Sequence, residues 1–310
     1  MRRRNGGGVV PVYFRDFAYP NTRPALVRMA SDYGNMGEQS AASFAELLSG
    51  PLVDFYIGTN RGYWSVHLKL LCYHSSWFAH ELSVTEHGRR GEAPTKGDCG
   101  EAAAQSPLRL ELPQHSAAGF VLLVKCLYQG NLDSPTVLPD PLAQYEHAVA
   151  CHGLYLLCYH FEMPLMMDLA MDSYRQSLNL SGLVPDAEEL CTLYGRSPRS
   201  KETNKGTPER LGTLANILEE MDPFRKLMIK IAARQIMAPE TVENAQSYQR
   251  CFEGEDGLGF AVALVNAIRD GSGAMLFDDP TEPRKACEYH GHAEGEACLA
   301  RRKSKGRMGR

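Results

Sequence analysis

Residues 52–78, LVDFYIGTNRGYWSVHLKLLCYHSSWF, limit what this chain can fold into more than any other stretch. Two short runs rich in β-branched and aromatic residues flank the turn-forming cluster GTNRG. Leu52–Ile57 and Tyr63–His67 are therefore expected to pair as a hairpin. LVDFYI is apolar on both of its faces, which predicts a central strand covered on both sides. No turn residue separates His67 from the helix formers that follow. In LKLLCYHSSWFAHEL, Leu71, Ser75 and Phe78 stand at i, i+4 and i+7, the spacing of one helix face. Two strands leading directly into a helix point to a small mixed fold.

The remaining elements follow from pattern and punctuation. Ser40–Leu48 reads as a short helix broken by Gly50-Pro51. Residues 83–107 are rich in Gly, Glu and Ala and read as an inserted loop. LRLEL, Leu108–Leu112, alternates apolar and charged and predicts a half-exposed strand. AAGFVLLVKCLYQG reads as a helix closed by Gly130. Leu142–Phe161 and Leu165–Leu178 read as two helices parted at Pro164. A polar linker is expected over 195–213. Asp222-Pro223 then supplies an N-cap acid and a first-turn proline, and Phe224, Leu227, Met228 and Ile231 keep the i, i+3, i+4, i+7 template. Phe260–Ile268 reads as a further helix. The fold class expected is α+β: a small three-stranded sheet capped by a helical cluster, followed by a helical extension. The segments are a mostly disordered 1–35, a mixed domain over 40–180, a helix and linker over 181–213, the extension over 214–275, a Cys/His cluster over 280–300 and a basic tail over 301–310.

This order, with its residues, resembles a BTB/POZ domain. The family's signature sets an Asp in the first strand and a His at the start of a helix, with Leu, Ser, an aromatic and Phe at +4, +8, +10 and +11. Here those are Asp54, His67, Leu71, Ser75, Trp77 and Phe78. LRLELP, AAGFVLLVKCLYQGNL and the helical pair YEHAVACHGLYLLCYHFEMPLMMDLAMD continue the likeness, which runs from Phe44 to Leu178. The phrasing is most like the short BTB proteins of filamentous fungi. The resemblance implies a protein-interaction module without catalysis. It makes Asp54 and His67 frame residues: a carboxylate in a strand expected to be buried on both sides, which must be paired or hydrogen-bonded to backbone, and a cap between strand and helix. It also implies a protein partner, a second copy of the chain among the candidates. Where many members follow the His with Arg or Lys, this chain has Leu68, then Lys69, so a dimer contact is expected to be apolar. Members that bind a cullin and serve a ubiquitin ligase often carry an acid in the loop before the third helix. Here that loop, PQHSAAG, has none, and a substrate adaptor that binds a cullin stands as an alternative to the plain interaction protein.

Composition excludes several other classes. Hydrophobic residues make up 44% of the 310, enough for a sizeable core. The last ten residues hold six Lys or Arg and no acid. Without them 27 basic residues face 37 acidic ones, so an acidic body argues against nucleic acid held along a broad basic surface. Neither a secretory signal nor an apolar run of membrane-spanning length is visible, so an intracellular protein of cytoplasm or nucleus is expected. In that setting the nine Cys are expected mainly as free thiols. Cys287, His290, His292 and Cys298 form C-x2-H-x-H-x5-C, four ligands in twelve residues that could close a tetrahedral zinc site. Arg301, Arg302, Lys303, Lys305 and Arg307 suit an import signal or a phosphate contact, which supports an alternative as a transcription-associated factor. Met163, Met166, Met167 and Met171 are expected to fill core. Phosphate-loop and nucleophile-elbow motifs are absent, and GLGFAV lacks the third glycine of a dinucleotide fingerprint.

Overall fold

The structure is a computed structural model that describes residues 40–81, 108–198, 221–238, 243–254, 256–272, 279–282 and 289–290. In chain order the elements are α1 (Ala41–Leu47), β1 (Leu52–Ile57), β2 (Gly62–His67), α2 (Leu68–His74), α3 (76–81), β3 (Leu108–Leu112), α4 (Ala117–Gln129), α5 (Pro141–His160), α6 (Pro164–Ser181), α7 (Ala187–Arg196), α8 (Pro223–Met237), α9 (Gln249–Glu253) and α10 (Gly257–Ser272). Short 3-10 turns occupy Pro135–Val137 and Ala245–Tyr248. This is a mixed α/β protein with a three-stranded sheet and mostly helix. Among the described residues no helix is long and apolar enough to cross a membrane. The expected disordered start (1–35), the inserted loop, most of the linker and the basic tail lie outside the described residues.

The chain packs as two compact units. The sheet unit comprises residues 1–132 together with 160–163, and the helical unit comprises 133–159 and 164–310. The helical pair α5 and α6, read from the sequence together with the sheet, thus groups with the extension, except for His160 at the end of α5.

In the sheet unit the strand order is β2-β1-β3. β1 runs antiparallel to β2, with Asp54 opposite Ser65, and parallel to β3, with Asp54 beside Arg109. β1 is central, as its sequence predicts. It is not covered on both sides. Val53, Phe55 and Ile57 are fully buried, while Asp54 and Tyr56 are half-buried, so the two-sided burial is corrected to one buried face. The outer face is instead shielded by neighbouring side chains. The Tyr56 ring lies under the guanidiniums of Arg61 (5.3 Å) and Arg109 (4.1 Å), and Glu111 bridges these two at 2.9 and 2.7 Å. On the inner face Phe55 meets Phe78, Phe120 and Phe161 at centroid distances of 6.1, 4.9 and 6.4 Å. α4 opens on Ser116, whose Oγ accepts from Gly119 N, and closes on Gly130 at φ 69°, a left-handed residue that glycine adopts without Cβ strain.

The helix expected over 68–82 is broken. Ser75 is extended, at φ −136° and ψ 119°, between α2 and α3. Leu71, Ser75 and Phe78 are nonetheless all buried, so the apolar spacing survives the break.

In the helical unit Asp222 caps α8: its Oδ1 accepts from Phe224 N at 2.9 Å, and Pro223 occupies the first turn. Phe224, Leu227, Met228 and Ile231 are buried as the periodicity predicts. Met163 of the sheet unit and Met166 and Met171 of the helical unit are buried, while Met167 is half-buried. Cys191 of α7 and Cys251 of α9 form a disulfide with Cα atoms 5.2 Å apart. This corrects the expectation of thiols at these two positions, whereas Cys72, Cys126, Cys151 and Cys158 remain thiols. Elements separated by 60 residues meet at this bond, a proximity that composition does not reveal.

Candidate functional site

The six signature residues sit in the sheet unit at two centres. At the first, Asp54 and Ser65 face each other across β1 and β2. The Asp54 carboxylate accepts from Ser65 Oγ and, at 2.9 Å, from Tyr63 OH; the two hydroxyls lie 2.7 Å apart. Residues i and i+2 of a strand share a face, so Tyr63 and Ser65 converge on the same acid. That alternation was visible in YWSVH, although sequence reading did not use it. Asp54 is hydrogen-bonded to side-chain hydroxyls, not paired or bonded to backbone as expected.

At the second centre lie Ser75, Trp77 and Phe78. Buried Ser75 Oγ donates to the carbonyl of Phe161 at 2.6 Å and accepts from Phe78 N at 3.1 Å. One hydroxyl thereby caps α3 and holds a segment 86 residues away. The ring of Phe161 packs on Phe78 (4.7 Å) and on Trp77 (5.4 Å). Tyr63, Ser65, Tyr128 and Phe161 are the frame partners that sequence reading missed. Tyr128 and Phe161 have no local signal, because their roles arise only from tertiary contact.

His67 stands at the N-cap position of α2, but its side chain makes no capping bond, which corrects its expected role. Its Nδ1 lies 2.7 Å from Tyr128 OH at the end of α4. His67 therefore ties the strand-helix corner to a second helix. Asp54 and His67 share no hydrogen bond among the described residues, so the structure does not assemble them into an acid–base pair.

Burial governs the other histidines of this unit. Desolvation brings His74 and His115 down to about 4, with neighbouring His160 adding to the effect on His115; His160 is itself lowered by burial. His74 Nε2 and Arg109 Nε are buried without a hydrogen-bond partner among the described residues. These rings are neutral near pH 7, packed as aromatic bodies.

The helical unit holds a half-open cavity of about 80 Å³ lined by Cys191, Tyr194, Arg225, Arg250, Cys251 and Asp256. Arg225 is buried there, ion-paired with Asp256 at 2.7 Å, bonded to Ser197 O at 3.1 Å and stacked over Tyr194. Arg250 is paired in turn with Glu188 at 2.9 Å, and the cavity has room for a few waters.

Of the expected zinc ligands only His290 is described. It is buried, with Nε2 2.9 Å from Asp172 Oδ1. Cys287, His292 and Cys298 lie outside the described residues, as do Arg301, Arg302, Lys303, Lys305 and Arg307 of the tail. No group of three or more His, Cys, Asp or Glu suited to a metal occurs among the described residues. No family model matches the chain, and no curated protein matches it.

Proposed function

We propose that this chain is a non-catalytic interaction protein of BTB/POZ type, acting by homo- or hetero-oligomerisation. The observation that carries this reading is the commitment of the signature's polar groups to intramolecular bonds. Asp54 is engaged by Ser65 and Tyr63, His67 by Tyr128, and Ser75 by Phe161 and Phe78. Groups held in this way stabilise a frame, whereas a catalytic pair must face a space that admits substrate. The order strand, strand, helix, strand, helix also supports it, while Leu68 departs from the family's pattern and speaks against a charged dimer pocket.

Light scattering on the full chain, combined with proximity labelling in cells, tests the reading. The expected result is a mass above 34.4 kDa, or a small reproducible set of neighbours that disappears when Phe78→Asp disrupts the frame. A strictly monomeric chain with the same neighbours as a frame-disrupted control would overturn it.

A further inference from the structure

Among the described residues Cys126, Cys151 and Cys158 are buried thiols, and burial pushes the Cys126 thiol up to about 12, which keeps it out of exchange chemistry at neutral pH. Cys191 and Cys251 differ. They are bonded to each other, and both line the half-open cavity of about 80 Å³ in the helical unit. Their exposures are unequal: Cys191 is half-buried, whereas Cys251 is 5% exposed. The tip of a small thiol, one sulfur and one methylene, is about the size of two waters and fits this space. Arg225 and Arg250 line the same cavity, but Asp256 and Glu188 hold them, so access rather than charge singles the pair out.

We propose that Cys191–Cys251 is a thiol–disulfide exchange site that takes a small dithiol and, once opened, loosens α9. The site stands whether or not the chain oligomerises. One thiolate of the dithiol attacks the sulfur of Cys191, the more accessible partner. The Cys191–Cys251 bond breaks, and its electron pair leaves on Cys251 Sγ, which takes up a proton. The second thiolate then attacks the dithiol's own first sulfur, closes a ring and displaces Cys191 Sγ, which is protonated in turn. The dithiol ends oxidised by two electrons, and the two cysteines end as thiols. A free Cys191 thiol has an acceptor at hand, because its Sγ lies 4.0 Å from the Tyr248 carbonyl.

The consequence follows from the length of α9. It has five residues, far below the roughly 12–15 at which an isolated helix holds itself. Its place therefore depends on anchors. Beside the bond to α7 these include the Phe252 ring, 5.3 Å from Phe260, and the exposed pair of Arg250 with Glu188. Such an exposed pair contributes little. Tyr248, just before the helix, donates to Gln235 Oε1 of α8 at 2.6 Å. Opening the disulfide removes the one covalent anchor of 245–253, while α8 keeps its buried Phe224, Leu227, Met228 and Ile231.

The test titrates the full, native chain with dithiothreitol. Thiols are alkylated and mapped by mass spectrometry, and amide hydrogen exchange is measured at each step. Cys191 and Cys251 are expected to become labelled together while Cys126, Cys151 and Cys158 stay protected. Exchange over 245–253 should rise about tenfold with α8 unchanged, and oxidised dithiothreitol should reverse both effects. Cys191→Ser with Cys251→Ser should show the fast exchange from the start and no response to the reductant. Thiols at both positions in the air-purified chain would overturn the proposal. So would a bond that opens only when the buried cysteines are labelled too, since that marks a staple lost on unfolding. Opening without faster exchange over 245–253 overturns it as well.

Discussion

The two units meet the same problem, polar groups inside a core, with different means: both bury neutral groups, His152, Ser177 and Gln235 of the helical unit among them, but among the described residues only the helical unit buries arginine and aspartate. The sheet unit buries neutral Ser75 and half-buries the rings of His74, His115 and His160, beside clustered Phe55, Phe78, Phe120 and Phe161. The helical unit buries charge and engages it. Arg175, 1% exposed, donates to the carbonyls of Pro280 and Glu282 and lies 4.5 Å from the Tyr289 ring. Arg225 holds Asp256, and Asp222 accepts from Tyr155 OH at 2.8 Å. A buried charge is tolerated only with partners at hand. Each such clamp therefore fixes a distant segment, as Arg175 does for one more than 100 residues away. Neutral aromatic packing asks for less: shape and a few hydroxyls. Sequence separation is bridged by packed rings in both units, as Phe55 meets Phe161 in one and Phe224 meets Tyr174 in the other, and by engaged charges in the helical unit as well.

Both tryptophans of the chain, Trp64 and Trp77, lie in the sheet unit, so their fluorescence reports on that unit, while far-UV circular dichroism is dominated by the helices. This separates the two experimentally. The largest effect is expected from Phe55→Ala, which empties the centre of the ring cluster and should cost about 3–5 kcal/mol in the fluorescence-detected urea transition. An equal shift confined to the dichroism signal would break the comparison. Next comes the Cys191–Cys251 bond. Replacing both by Ser reopens a loop of 60 residues and should cost about 2–4 kcal/mol, seen by dichroism with little change in the tryptophan midpoint. Ser75→Ala should cost about 1–3 kcal/mol by fluorescence, because it leaves the Phe161 carbonyl without its buried donor.

The units should also differ in pH dependence. His74 and His115 titrate near 4 in the folded sheet unit and near 6.5 unfolded, so the unfolded state binds more protons between those values. Their contribution is complete above pH 6.5 and is lost as pH falls toward 4. In the helical unit His152, also near 4, acts the same way, but burial pushes Asp222 up to about 6, and that carboxyl acts oppositely over the same range. Acidification from pH 7 to 5 should therefore destabilise the unit read by fluorescence by about 3 kcal/mol more than the unit read by dichroism. Parallel losses in both signals would show that the histidines do not distinguish the units.

Much of this arrangement was legible in the residues, for identifiable reasons. β1 and β3 run over the predicted residues because turn formers bound β1 on both sides and alternation marks β3. Gly130 and Asp222-Pro223 marked helix ends through local backbone chemistry alone. The break at Ser75 was hidden because its cause is a carbonyl 86 residues on, while the local spacing reads as one helix. The outer face of β1 was misread because Tyr56 looks like core until Arg61 and Arg109 are placed over its ring. Of the candidate site, the identities of Asp54, His67 and Ser75 were legible and their partners were not. Each partner belongs to another element: β2, α4, or the turn after α5.

The sheet unit is discontinuous, and this shapes its biogenesis. A ribosome has delivered every strand by residue 112 and α4 by residue 129, yet Phe161, whose ring closes over Phe78 and Trp77, is still unmade. At roughly 5–20 residues per second the nascent sheet waits a few seconds with that notch open. During the wait it offers wet aromatic surface to chaperones, and a fragment cut before residue 160 would keep that surface permanently.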